Sequence, residues 1–256
     1  MPVDFVHALP WVRRTVVISE SDDGTATALW EPGARVSNPH AAEQLSVRVA
    51  GMLPDINGLV ISGSLPGGIA AGLPAEIART AIAAGVPTIC DVDGESLRLA
   101  AQVPGIVLMP NTEELERLTG RVPVTPDEVV TAARPLIERG VRAIIATRGA
   151  EGMIVVTAEG AWSAALPEPF AGNPTGAGDS AAAAVIAALS VADGLPDWSA
   201  ILVDAVATSA AAVVIPVAGE IDRSLRARVA PTVVVERLAD PTAESSPGDP
   251  TQETSL

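Results

Sequence analysis

A single carboxylate, Asp179, follows Gly176, Ala177 and Gly178 in the stretch AGNPTGAGDSAAAAVIAAL, residues 171–189. Small residues keep side chains out of the way, so successive main-chain N–H groups can converge on an anion. The Ala-rich run behind them predicts a helix from Asp179 to about Val191, whose N-terminal dipole adds to that pull. A carboxylate beside such a cradle is placed to take a proton from a hydroxyl that attacks the anion. The competing reading is a plain N-cap, which stabilises a helix by about 1 kcal/mol. A cap leaves the glycine on each side of Ala177 unexplained.

Three further stretches carry residue types suited to the same chemistry. ISGSLPGGI (61–69) leaves an apolar run into a loop where Gly63, Ser64, Gly67 and Gly68 allow a polyhydroxy ligand to approach; it could equally be an ordinary connection. In MPNTEEL (109–115), Asn111 and Glu114 stand three apart at a helix start and share a face. They read either as an N-cap with an acidic first turn or as a Mg²⁺ and phosphate site, since hard oxygen ligands suit Mg²⁺. ATRGAEGMIVV (146–156) turns at Gly149 and Gly152, as a plain hairpin or as the rim of a nucleotide pocket.

The elements that must position these stretches follow from periodicity. Residues 15–30 predict two strands around a turn at Asp22, Asp23 and Gly24, and a helix runs from His40 to Met52 with Ser37 or Asn38 as its cap. Short apolar runs at 57–62, 86–92, 105–110, 141–148 and 152–164 predict strands. Helical patterns lie between them at 72–85, 95–101, 112–120 and 125–140, and two more follow at 179–191 and 197–214. Continuous apolar strands alternating with amphipathic helices indicate a parallel sheet covered on both faces, with ligands at the carboxyl ends of its strands.

Composition narrows the function. The 256 residues carry a net charge of −15, and all 16 basic residues are arginine. Nucleic acid and anionic membrane surfaces want basic partners, so neither is expected. The absence of lysine excludes a Walker A loop, a Schiff-base enzyme and a lysine general base. Two histidines, His7 and His40, make a His-rich metal site implausible, and no G-x-S-x-G marks a hydrolase. No G-x-G-x-x-G follows a strand, which argues against a nicotinamide enzyme. The lone Cys90 lies in an apolar run, reads as a buried structural thiol, and fits a reducing cytoplasm.

Taken together, GSLPGG, PNTEEL, TRGAEG and NPTGAGDSAAAA, in this order and spacing, resemble the ribokinase-like, phosphofructokinase-B carbohydrate kinases over about residues 3–229. GSLPGG points within that family to its sugar-phosphate branch. The resemblance implies an α/β fold with a doubly wound, mostly parallel sheet and helices on both faces. An incomplete β lid would occupy 1–36, the kinase domain 37–238, and a polar, Pro-rich, disordered tail 239–256. It implies ATP-dependent phosphorylation of fructose 1-phosphate, fructose 6-phosphate or tagatose 6-phosphate, with Mg²⁺ and a cytoplasmic location.

By position, the resemblance makes Asp179 the catalytic base and Gly176, Ala177 and Gly178 the anion hole. It makes Asn111 and Glu114 the pair that organises Mg²⁺ and phosphate. Thr147, Gly149, Gly152 and Ser209 would line the nucleotide site. Arg13, with Arg14 as second choice, would hold the substrate's own phosphate, and Gly63 and Ser64 would lie against the sugar. The strands TVVIS and TATALW imply a homodimer formed through the lid. Relatives carry a strand–helix region ahead of this point with a Gly-Gly-Lys-Gly-x-Asn type stretch. A start assigned too late is the expectation, and a truncated, catalytically impaired nucleotide or sugar-phosphate binder is the alternative. Four positions depart from the family pattern: Asn173 with Pro174 for Asp-Thr or Ser-Thr, Arg148 for an apolar residue, Ser209 for glycine, and Asp93 for a small hydroxyl residue.

Overall fold

The protein is described here by a computed structural model covering residues 3–19 and 26–239. The expected turn at 22–24 and nearly all of the expected tail lie outside those residues. Strands β1 (Thr15–Ser19) and β2 (Ala26–Trp30) form a separate antiparallel pair. The chain then runs α1 (Ala41–Met52), β3 (Leu59–Ser62), α2 (Leu73–Ala83), β4 (Thr88–Asp91), α3 (Gly94–Ala100) and β5 (Val107–Leu108). It continues through α4 (Thr112–Thr119), α5 (Pro126–Glu138), β6 (Ala143–Thr147), β7 (Met153–Thr157) and β8 (Ala161–Ala165). Helices α6 (Ala177–Val191), α7 (Trp198–Val213) and α8 (Arg223–Val229) and strand β9 (Val234–Leu238) complete it.

The seven strands β3 to β9 make one sheet in sequence order. β3, β4, β5 and β6 run parallel, as strands joined by helical crossovers must, and β6 to β9 continue as an antiparallel meander. Because side chains alternate along a strand, neighbouring residues enter different cores. Cys90, Leu108, Ile144 and Ile154 pack with α2 to α5 on one face. Ile89, Val107, Ile145 and Val155 pack with α6 and α7 on the other. Ile144 and Ile145 are both 0% exposed, and truncating either to alanine costs about 2–5 kcal/mol. This double covering makes the sheet rigid and leaves its strand ends as the place where loops converge.

Several boundaries differ from the expectation. Helix α6 begins at Ala177, so Asp179 is its third residue rather than its cap. Helix α1 starts after His40; Asn38 Oδ1 instead accepts from His40 N (3.0 Å), and Ser37 Oγ donates to Ala8 O (3.1 Å). Strand β5 pairs through only two residues on each side. Neither α8 nor β9 was anticipated. α8 is short and arginine-rich, capped by Asp222, and β9 is a largely exposed edge strand without the apolar run that marks a buried one.

Candidate active site

Two strand ends, of β3 and β4, and two helix starts, of α4 and α6, converge. Gly176 is the N-cap of α6 with φ 83°, a left-handed conformation that glycine adopts without steric cost. Ala177, Gly178 and Asp179 form the first turn, where main-chain N–H groups lack intrahelical acceptors. The Ala177 amide, expected in the anion hole with those of Gly176 and Gly178, instead donates to Pro174 O at 3.2 Å, which leaves the first-turn amides of Gly178 and Asp179 to meet an anion. Asp179 does not fold back to cap its own helix. Its Oδ1 accepts from Ser62 Oγ at 2.8 Å, across a sequence separation of 117. The cap reading of Asp179 is thereby replaced by a tertiary contact to the carboxyl end of β3.

Beside that pair lies a cavity of about 230 Å³ whose lining includes Asp91, Asp93, Glu114 and Asp179, with Ser62 and Ser64. No arginine lines it. Asp91 ends β4, and its carboxyl is pushed up from 3.8 to about 6 by burial, then by the charges of Asp179 and Glu114. Ser64 Oγ donates to Asp93 Oδ2 at 2.8 Å, and Gly63, at φ 97°, donates its amide to Asp91 O at 3.0 Å. The GSLPGG loop is therefore tied both to the end of β4 and to the loop after it. Asp93, which departs from the family pattern, makes one of those ties.

Asn111 and Glu114 form a reciprocal capping box on α4: Asn111 Oδ1 accepts from Glu114 N and Glu114 Oε2 accepts from Asn111 N, both at 2.9 Å. The capping reading of this pair holds, and Glu114 still borders the acidic cavity. Thr147 lines neither cavity; its amide donates to Pro110 O at 3.0 Å and it bridges to Asn111, fastening β6 to the start of α4. Among the described residues no three His, Cys, Asp or Glu side chains make a ready-made metal centre. The crowding that raises the Asp91 pKa nevertheless fits a hard divalent cation held by one or two carboxylates, with phosphate oxygens completing its shell.

A second cavity, about 430 Å³, opens on the other side of the same helix turn. Gly149, Gly152 and Ser209 line it, together with Met153, Leu166, Phe170, Val206 and Val213. Gly152 is obligatory there: φ is 83°, and a Cβ would strike the main-chain oxygen of Ala164. Asn173, 6% exposed, braces one wall. Its Nδ2 donates to Pro216 O (2.9 Å), its Oδ1 accepts from Thr175 N (3.0 Å), and its amide donates to Val213 O (2.8 Å). Arg148 pins the rim by donating to Val124 O at 2.7 Å and pairing with Glu151.

Arg13 and Arg14 precede β1, are exposed and border neither cavity; Arg14 uses its amide on Glu31 Oε2 at 2.9 Å. Sequence reasoning passed over Asp91 and Ser62. The signal was present, since a polar residue closing a buried apolar strand in this class of sheet lies at the ligand edge. Cys90 is buried as expected, with its thiol pushed up to about 12 by burial and the neighbouring Asp91 charge.

A doubly wound sheet with an anion-ready helix start between an apolar and an acidic cavity belongs to the sugar-kinase class of fold. Residues 2–223 match the model of the pfkB family carbohydrate kinases, and the chain belongs to that family. It is 30% identical over 182 residues to the ATP-dependent 6-phosphofructokinase isozyme 2 of Escherichia coli, covering 70% of this chain and 58% of the relative. Against a 1-phosphofructokinase of Xanthomonas campestris it is 29% identical over 194 residues, covering 73% and 60%. The crystal structure of Escherichia coli phosphofructokinase-2 with fructose-6-phosphate superposes with a TM-score of 0.75 at 26% identity, over 90% of this chain and 73% of that one. The chain thus spans less than two thirds of the length of these two curated relatives.

Proposed function

We propose that this chain transfers the terminal phosphoryl group of ATP to a hydroxyl of a sugar phosphate: fructose 1-phosphate, fructose 6-phosphate or tagatose 6-phosphate. One observation carries the reading. Consecutive residues of a single helix turn border two different cavities, Ala177 the apolar one and Gly178 with Asp179 the acidic one. A nucleotide whose base fills the first and whose phosphates meet the helix start would present its terminal phosphate to an acceptor in the second.

In this arrangement Asp179 takes the proton of the attacking hydroxyl, with Ser62 holding its carboxylate in place. The free first-turn amides of α6 stabilise the charge that develops on the transferred group. Phosphoryl transfer asks for little more than alignment and charge neutralisation. Glu114 and Asp91 would hold Mg²⁺, which when bound neutralises phosphate charge; Asn111 acts through α4, its Oδ1 being engaged with the Glu114 amide. Arg13, or Arg14, would supply the positive charge for the acceptor's own phosphate by movement of the segment before β1.

The β1–β2 pair leaves Val16, Ile18, Leu29 and Trp30 at least 48% exposed, which supports a homodimer through these strands. A cytoplasmic setting agrees with the single buried cysteine. No helix of the described residues is long and apolar enough to cross a membrane.

The test is ADP release from Mg²⁺–ATP with the three sugar phosphates and unphosphorylated hexoses. Sugar-phosphate-dependent turnover is expected. Arg13→Ala should raise the KM for the phosphorylated acceptor ~10-fold or more, the worth of a charged hydrogen bond, and leave the KM for ATP unchanged. A folded chain that binds ATP but turns over no acceptor would favour the nucleotide-binding reading.

A further inference from the structure

The apolar cavity holds a feature that bears on which nucleotide it takes. Among the side chains lining it, Ser209 alone carries a strong hydrogen-bonding group, and none is charged. Several main-chain groups of its wall are already engaged. Gly149 O accepts from Gly152 N (3.2 Å), Gly152 O from Arg148 N (2.9 Å), Val213 O from Asn173 N (2.8 Å), and Pro174 O from Ala177 N (3.2 Å). What its side chains offer a base is mostly apolar surface, the Phe170 ring included.

Bases differ at their edges and resemble one another at their faces. Adenine presents an amino donor where guanine and hypoxanthine present a carbonyl acceptor. A site that reads such a difference through buried, committed hydrogen bonds rejects the wrong partner by about 10⁴-fold or more, whereas an apolar pocket separates close analogues by only about 10–200-fold. The one polar side chain is a hydroxyl, which donates or accepts by rotating and so serves either edge. Stacking on an aromatic ring is indifferent to sequence because every base has a π-face.

We propose that this cavity accepts purine nucleoside triphosphates with little regard to the base, so that GTP and ITP serve as phosphoryl donors alongside ATP. Its turnover half rests on the transfer reading above; its binding half does not. In the reaction, the bond from the γ-phosphorus to the β,γ-bridging oxygen breaks and a bond from that phosphorus to the acceptor's hydroxyl oxygen forms. The hydroxyl proton passes to Asp179, and the leaving group is GDP, IDP or ADP.

Titration calorimetry of the full chain with Mg²⁺ and ATP, GTP or ITP, without acceptor, tests the binding half. Dissociation constants within about tenfold of one another are expected. ATP binding more than about tenfold tighter than GTP or ITP overturns the inference and leaves the transfer reading standing. No binding of any of the three overturns both. Phe170→Ala should weaken all three nucleotides together, by ~5–150-fold for loss of a stacking face. Ser209→Ala should shift them by a common factor; a loss confined to ATP would show that Ser209 reads the base, and the proposal would fall. Nucleoside diphosphate release with an active acceptor should then follow the same flat order, and an ATP-only turnover would overturn the donor claim.

Discussion

The two cavities on either side of the first turn of α6 are built on opposite plans. The larger is walled by alkyl groups, an aromatic ring and glycine, and one of its walls is held by neutral hydrogen bonds centred on Asn173. The smaller gathers three further carboxylates and two hydroxyls around Asp179 and leaves one carboxyl, Asp91, far from its ordinary pKa. Apolar surface grips a flat ligand without much discrimination, whereas crowded charge is costly until a cation or proton relieves it. The first plan suits holding; the second suits reacting. Asp179 belongs to the second, yet sits two residues from Ala177, which belongs to the first.

The largest expected effect breaks the reacting side alone. Asp179→Asn should lower turnover by ~10²–10⁴-fold while nucleotide affinity, measured by calorimetry, stays within a few fold. Near-normal turnover would show that another group takes the proton. On the holding side, Asn173→Ala removes the side-chain ties of this buried residue to Pro216 O and Thr175 N. Each such hydrogen bond contributes about 0.5–1.5 kcal/mol, so the KM for nucleotide should rise ~10-fold and the melting temperature should fall. An unchanged nucleotide KM would mean that the brace is dispensable and that the cavity wall holds its shape by packing.

The smallest effect is one of pH and stability. The folded pKa of Asp91, about 6, lies above the ordinary 3.8, so the native state holds the proton more tightly than the unfolded chain does. Between about pH 4 and pH 6 the wild-type chain should therefore lose stability as pH rises, and the penalty should be complete above that window. The cause is first the burial of Asp91 and then the charges of Asp179 and Glu114, with Cys90 the adjoining neutral thiol. Asp91→Asn should flatten this component of the melting profile and raise the melting temperature by a few degrees at pH 7–8. Equal slopes for wild type and variant would show that Asp91 titrates normally.

Much of the layout could be read from the chain. Buried strands announce themselves as short apolar runs, and the helices at 125–140 and 197–214 carry cap residues, Thr125 and Asp197, that the structure uses. The two elements missed, α8 and β9, are short or exposed and stabilised by what they lie against rather than by their own pattern. Helix α6 starts two residues before the expected Asp179, because an aspartate after glycine reads as a local cap.

Residue order alone determined the family, the order of the loops at the ligand edge, and the candidacy of Asp179, because local spacing encodes strand ends, turns and helix starts. Tertiary structure decided what those residues face. Ser62 and Asp179 stand 117 positions apart and meet at 2.8 Å only because β3 and α6 lie together. Asp91 titrates abnormally because the fold buries it and then brings Asp179 and Glu114 beside it from other elements. Burial and electrostatics depend on distance in space, and a sequence records only distance along the chain.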